Sequence, residues 1–122
     1  MTLEFLEETL EVDDLLIRVA ISPLANGLLL LISDREHRFG TIAVGVPSPF
    51  SEVSPVATSC LVGTRFQSEV RAIADIAAQK VEGIVVVNLF LSPEKAPKIS
   101  AVLTAVRQSL LKFEAKQREN PL

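Results

Sequence analysis

The sequence predicts a single α+β domain spanning residues 1–122, and three observations carry that prediction. Strand-length apolar segments crowd the first half of the chain, two segments of helical periodicity fall in the second, and the most aliphatic strand-like runs do not alternate with polar residues. The 122 residues suit one domain, since a chain of about 150 residues hides roughly two-thirds of its unfolded surface on folding. Apolar residues make up 48% of the chain with no Trp and no Tyr, so Val, Leu, Ile and Ala must build the core.

The elements follow in order. Phe5 to Val12 mixes charges with apolar residues and reads as a first strand in preference to a short helix. A turn at Asp13-Asp14 leads into Leu15 to Ser22, where Ile17, Val19 and Ile21 share one face and Leu16, Arg18 and Ala20 the other. Pro23 is expected to stop this strand, and Asn26-Gly27 to turn the chain into Leu28 to Ile32, apolar on both faces. The charged run Asp34-Arg35-Glu36-His37-Arg38 makes the next turn, and Gly40 to Val46 returns as a fourth strand. Short connections between these four predict an antiparallel meander. The prolines of the Pro47 to Pro55 stretch exclude a central strand and leave a surface loop.

Val56 to Val62 is a fifth strand, ended by Gly63. Thr64-Arg65-Phe66-Gln67 has the spacing of a capping box, with the Thr hydroxyl on a first-turn N–H, and opens a helix whose stripe is Val70, Ile73, Ala74, Ala77 and Val81. Gly83 is the expected left-handed stop. Ile84 to Leu91 is the most strongly β-forming segment, apolar at both parities apart from Asn88. Ser92-Pro93 is the natural start of a second helix, delayed by a turn if Pro97 intervenes, with the stripe Ile99, Val102, Leu103, Val106, Leu110 and Phe113. After Glu114 the tail is polar and expected to fray. Strands grouped first and helices later argue for α+β rather than a doubly wound parallel sheet.

Composition excludes several classes of function. The longest apolar stretches are far too short to span a bilayer, and Met1 to Phe5 lack the basic start and apolar core of a signal peptide, so no membrane partner and a cytosolic or nuclear location are expected. A single cysteine, Cys60, fits reducing surroundings. A net charge of −3, with the phenylalanines not interleaved with Lys and Arg in the way of a stacking platform for bases, argues against nucleic acid as the main partner. Catalytic chemistry has little to draw on. His37, the one histidine, sits in the most charged turn and reads as a solvated residue, and Cys60 lies in an apolar strand as a small hydrophobe. One Cys and one His cannot furnish a structural zinc site, and no cofactor motif is present. The carboxylates Glu7, Glu8, Glu11, Asp13 and Asp14 solvate a hairpin, and Gly63-Thr64 reads as a helix cap rather than a nucleotide site.

Excess hydrophobicity remains. Two helices cover one sheet face, yet Leu28 to Ile32 and Ile84 to Val87 do not turn polar toward the other. Either the sheet curls into a barrel or a second sheet, from another molecule, packs on it. A dimer face is then expected at Leu29, Leu31, Val85 and Val87, or at their neighbours of opposite parity.

The order of elements, together with Val56-Ala57-Thr58-Ser59-Cys60-Leu61-Val62-Gly63, Ile76-Ala77-Ala78-Gln79-Lys80 and Val85-Val86-Val87-Asn88-Leu89, resembles the small proteasome assembly chaperones. Leu29-Leu30-Leu31-Ile32 followed by Gly40-Thr41-Ile42 is similar to a sibling member of that family. The resemblance runs from about Leu10 to Phe113 and rests on order more than on any one motif. It implies a non-catalytic protein with a six-stranded, mainly antiparallel sheet and two helices on one face, the other face packed in a dimer. The partners it implies are a sibling chaperone, or a second copy in isolation, and an α-type subunit of the proteasome core particle, notably the fifth. For the client the candidate residues are Asp34, Arg35, Glu36, His37 and Arg38 of the charged turn and Phe50 of the Pro-rich loop. An α+β scaffold of a trafficking or signalling pathway is the second reading. A small-ligand protein, its pocket enclosed by a curled sheet and served by His37 or an acidic residue, is the third.

Overall fold

In the computed structural model the residues described are 5–48, 56–92 and 99–119. Strand β1 (Leu6–Val12) turns on Asp13 and Asp14 into β2 (Leu15–Leu24). Both aspartates hold a positive φ, 50° and 64°, which is the backbone that lets a two-residue turn follow the twist of its strands. β2 then turns at Ala25 and Asn26 into β3 (Gly27–Ser33), so the expected Asn26-Gly27 turn lies one residue earlier. Nor does Pro23 stop β2, because it pairs with Leu28 beside the turn-closing pair Leu24–Gly27. In an alternating ladder the N–H that proline lacks points away from β3 at this position, and β1 has already ended its register at Ile21.

The expected four-stranded meander breaks after β3. β4 (Thr41–Pro47) pairs with β5 (Val56–Val62) as an antiparallel hairpin, and β6 (Ile84–Phe90) inserts between β3 and β4. The six-stranded sheet has the order β1-β2-β3-β6-β4-β5, with β3 and β6 parallel and all other pairs antiparallel. β3 and β6 are the two strands apolar at both parities, and the middle of a sheet is where such strands find most cover. Since β5 and β6 are both antiparallel to β4, they run the same way, and their connection has to cross the sheet. Helix α1 (Gln67–Val81) makes that crossing.

The start of α1 departs from a capping box. Phe66 is the cap residue, left-handed at φ 60°, and no side chain bonds an N–H of the first turn. Gln67 Nε2 instead donates to the Gly63 carbonyl, and the Thr41 hydroxyl donates to the Arg65 carbonyl, tying the loop to β4. At the other end Glu82, not Gly83, takes the left-handed conformation. Gly83 serves close approach, for a Cβ there would lie 2.9 Å from the Asn26 carbonyl oxygen. Helix α2 (Ile99–Glu119) continues past Glu114 instead of fraying, while of the expected Ser92-Pro93 start Ser92 is outside any helix and Pro93 lies outside the described residues.

Both helices pack on one face of the sheet. Under them lie Ile17, Val19, Ile21, Leu28, Leu30, Ile32, Val85 and Val87, each worth about 1.5–3 kcal/mol when fully buried. α1 rests on β4, β5 and β6, and α2 on β1 and β2. The close seat of α1 depends on Gly45, where an added Cβ would come within 2.7 Å of the Ala74 carbonyl oxygen. Ala74, Ala77 and Ala78 in α1 and Ala101, Ala105 and Ser109 in α2 are buried as well, small residues that bring the helices down onto the strands. At the β1 edge Glu8 meets Lys112 of α2 at 3.4 Å.

Candidate functional site: an open sheet face and a pinned corner

Strand alternation sends the other half of the side chains to the face that the helices leave uncovered. Register places Ser22, Leu29, Val86, Val44 and Ser59 in one row across it, and Ala20, Leu31, Asn88, Ile42 and Val62 in the next. Leu29, Leu31, Ile42, Val44 and Val86 are half-buried there, and Ile84, Val46, Leu16 and Leu24 are exposed around them. The result is a contiguous aliphatic surface of the sort that marks an interaction site.

Two of the four candidate dimer residues, Leu29 and Leu31, lie on this face. The other two do not. Val85 and Val87 are 0% exposed, their side chains in the core beneath the helices, so that Val86 and Ile84 take the open positions on β6. The reason is the unbroken run Ile84 to Val87, which is equally apolar at both parities, so that pairing with β3 decides which half turns inward.

At one end of the sheet the segment after β3 is pinned to its surroundings. The Ser33 hydroxyl donates to the Glu36 carbonyl (3.0 Å) and accepts from the Arg35 N–H (3.1 Å). Both carboxylate oxygens of Asp34 accept from the Ser92 N–H, at 3.1 and 3.0 Å. Buried Asn88 accepts from the Gly40 N–H (2.9 Å) and donates to the Arg38 carbonyl (2.7 Å). His37 Nε2 comes within 3.5 Å of Glu7, and Arg38 lies 3.6 Å from Glu36 with its guanidinium 5.9 Å from the centre of the Phe90 ring. Phe39, 88% exposed, stands out from this frame. Across a shallow groove of about 200 Å³, Arg65 lies over the Phe66 ring at 4.9 Å and donates to the Leu91 carbonyl at 3.2 Å.

The candidate client residues Asp34, Arg35, Glu36, His37 and Arg38 thus come together at this corner, but with unequal freedom. Asp34 is committed to Ser92, and His37 and Arg38 already have neighbours. Phe50 lies outside the described residues. β4 runs from this corner to Pro47, so the Pro-rich segment begins at the opposite end of the strand, about 20 Å away at 3.3 Å per residue. Sequence reasoning missed Phe39, Arg65 and Phe66, and reached Val86 only as the opposite-parity alternative to Val85 and Val87. Phe39, set between a charged run and Gly40, could have been picked out as a large apolar residue in a turn, whereas nothing local marks Arg65.

Cys60 is half-buried on β5, its thiol 3.7 Å from the Val62 carbonyl oxygen. Among the described residues no group of three His, Cys, Asp or Glu is gathered to hold a metal ion, and no helix is long and apolar enough to cross a membrane.

Taken together these features define a sheet with helices on one side, an open aliphatic face on the other and a pinned corner of charged and aromatic side chains, which is an arrangement for binding a macromolecule. No protein-family model matches the chain, and no curated protein matches it. Among solved structures it is similar to a chain of the crystal structure of a novel chaperone complex for yeast 20S proteasome assembly. The TM-score is 0.61 at 15% sequence identity, over 98% of this chain and 97% of that one. The two chains share a fold along essentially their whole lengths.

Proposed function

We propose that this protein is a non-catalytic proteasome assembly chaperone, similar in kind to proteasome assembly chaperone 4, with chaperone 3 as the near alternative. The observation that carries the reading is the open aliphatic face, formed by Leu29, Leu31, Val86, Val44 and Ile42 on a fold shared end to end with a chain of a proteasome assembly chaperone complex. A second sheet laid on it at about 10 Å would complete a sandwich, and such an interface resembles a domain core cut in half. The sibling chaperone supplies that sheet in a heterodimer, and a second copy does so when the chain is alone. The pair binds α-type subunits of the proteasome core particle, the fifth in particular, promotes early α-ring assembly and then leaves. It acts in the cytoplasm and in the nucleus. Binding suffices for this work, because biasing which subunits meet changes no covalent bond.

The test is to mix the purified chain with the sibling chaperone and the fifth α-type subunit and to measure masses by size exclusion with light scattering. A ternary complex is expected. A monomer that ignores both proteins would leave the fold in place and remove the chaperone function.

A further inference from the structure

We propose that the corner carrying Phe39, Arg38 and Arg65, which borders the open face at Leu31 and Asn88, is a second docking surface, and that it takes a protein partner presenting an apolar pocket edged by carboxylates. The proposal rests on the chaperone reading in one respect, that this partner is the client and not the sibling.

Phe39 is the most exposed large apolar side chain among the described residues, at 88%, ahead of Leu61 at 61%. It is not on a loose loop. The bonds of Asn88 to Arg38 and Gly40, of Asp34 to Ser92 and of Ser33 to Glu36 fix the backbone on both sides of it. A ring held out in water by a pinned backbone forgoes burial in the free chain and loses little conformational entropy when it is buried by a partner. Aromatic anchors of this type, with arginine beside them, dominate binding energy where they enter a fitted pocket.

Charge selects the rim of that pocket. The chain carries a net charge of −3, yet two guanidiniums, Arg38 and Arg65, stand at this corner, with the exposed Glu36 beside Arg38 as the one outward carboxylate of the turn. Asp34 is committed to the Ser92 N–H, and the pair of Arg38 with Glu36 joins two well-exposed side chains at 3.6 Å, a contact that a better-placed partner carboxylate displaces at little cost. Arg65 spends a donor on the Leu91 carbonyl and keeps others of its guanidinium. Both guanidiniums lie over phenylalanine rings, which orients them for planar recognition of a carboxylate.

The experiment measures the affinity of the fifth α-type subunit for the sibling pair assembled with wild-type chain, Phe39→Asp or Arg38→Glu, at low and at moderate salt, with the mass of each complex from light scattering. Circular dichroism melts serve as the folding control, and Phe39→Asp is expected to melt like wild type because the ring is exposed. The sibling pair should keep its mass in both variants, while Phe39→Asp weakens client binding at least ~10-fold. Arg38→Glu should weaken it too and flatten its salt dependence. Wild-type client affinity in both variants overturns the proposal and leaves the chaperone reading standing. Loss of sibling pairing in folded Phe39→Asp overturns it as well, by placing the ring in the dimer. A wild-type pair that binds no α-type subunit sinks the chaperone reading itself and, with it, the assignment of the client to this corner.

Discussion

At the scale of single residues the most informative position is Asn88, the one polar side chain in the most strongly β-forming stretch of the chain. It is 5% exposed, and its amide joins β6 to the segment before β4 by accepting from Gly40 and donating to Arg38. An apolar replacement takes away the side-chain partner of a part-buried backbone N–H and of a part-buried backbone C=O, and an unmet group costs about 1–3 kcal/mol where it is buried. Asn88→Ala should therefore lower the free energy of unfolding by about 2–3 kcal/mol in urea titration, with the m-value unchanged. A loss under about 0.5 kcal/mol, the size of an ordinary surface change, would mean that water meets both groups and that the corner is not pinned by this residue. The same variant reports on function, since Phe39 lies between the two anchored positions and its orientation depends on them.

At the scale of elements the β1–β2 hairpin is the place where sequence and structure agree best, with Asp13 and Asp14 turning the chain as expected. Aspartate tolerates a positive φ less well than glycine does, so Asp14→Gly should stabilise the fold by about 0.5 kcal/mol and raise the melting temperature accordingly. A destabilised Asp14→Gly would show that the carboxylate makes a contribution larger than the backbone strain. Strand positions were legible because runs of Val, Ile and Leu bounded by Gly, Pro and Asp depend on local chemistry alone. Strand neighbours were not legible. The insertion of β6 between β3 and β4 is decided by which faces need cover across the whole sheet, and β4 carries no local sign that its partner lies forty or more residues away. The same limit explains the candidate site, where Leu29 and Leu31 fell on the open face but Val85 and Val87 did not, for a run apolar at both parities contains no parity signal. The tail of α2 misled for another reason: Lys, Gln, Arg and Glu are good helix formers, and their polarity was mistaken for fraying.

At the scale of the whole molecule the sheet has two apolar faces and helices for only one of them, and that imbalance is what an obligate partner would correct. Two neighbouring residues on β6 separate the faces cleanly. Val87, paired with Leu30 on one side and Ala43 on the other, is 0% exposed beneath the helices. An aspartate there buries a carboxylate among aliphatic side chains with no partner, a cost of several kcal/mol against a total stability of about 5–15 kcal/mol for a domain. Val87→Asp should lose its cooperative melt and report nothing about association. Val86, one residue earlier, is half-buried on the open face beside Leu29 and Val44. In the isolated chain an aspartate at this position keeps access to water and should shift stability by about 1 kcal/mol or less. Under a second sheet it would be as costly as in the core, so Val86→Asp should give a folded protein whose self-association and sibling pairing are both lost. The readouts are the mass by light scattering across a concentration series and the melt by circular dichroism on the same samples. A Val86→Asp chain that melts like wild type and still forms the full-mass dimer would move the interface off this face. An unfolded Val86→Asp chain beside a folded Val87→Asp chain would reverse the parity of β6, and with it the side on which the partner sits.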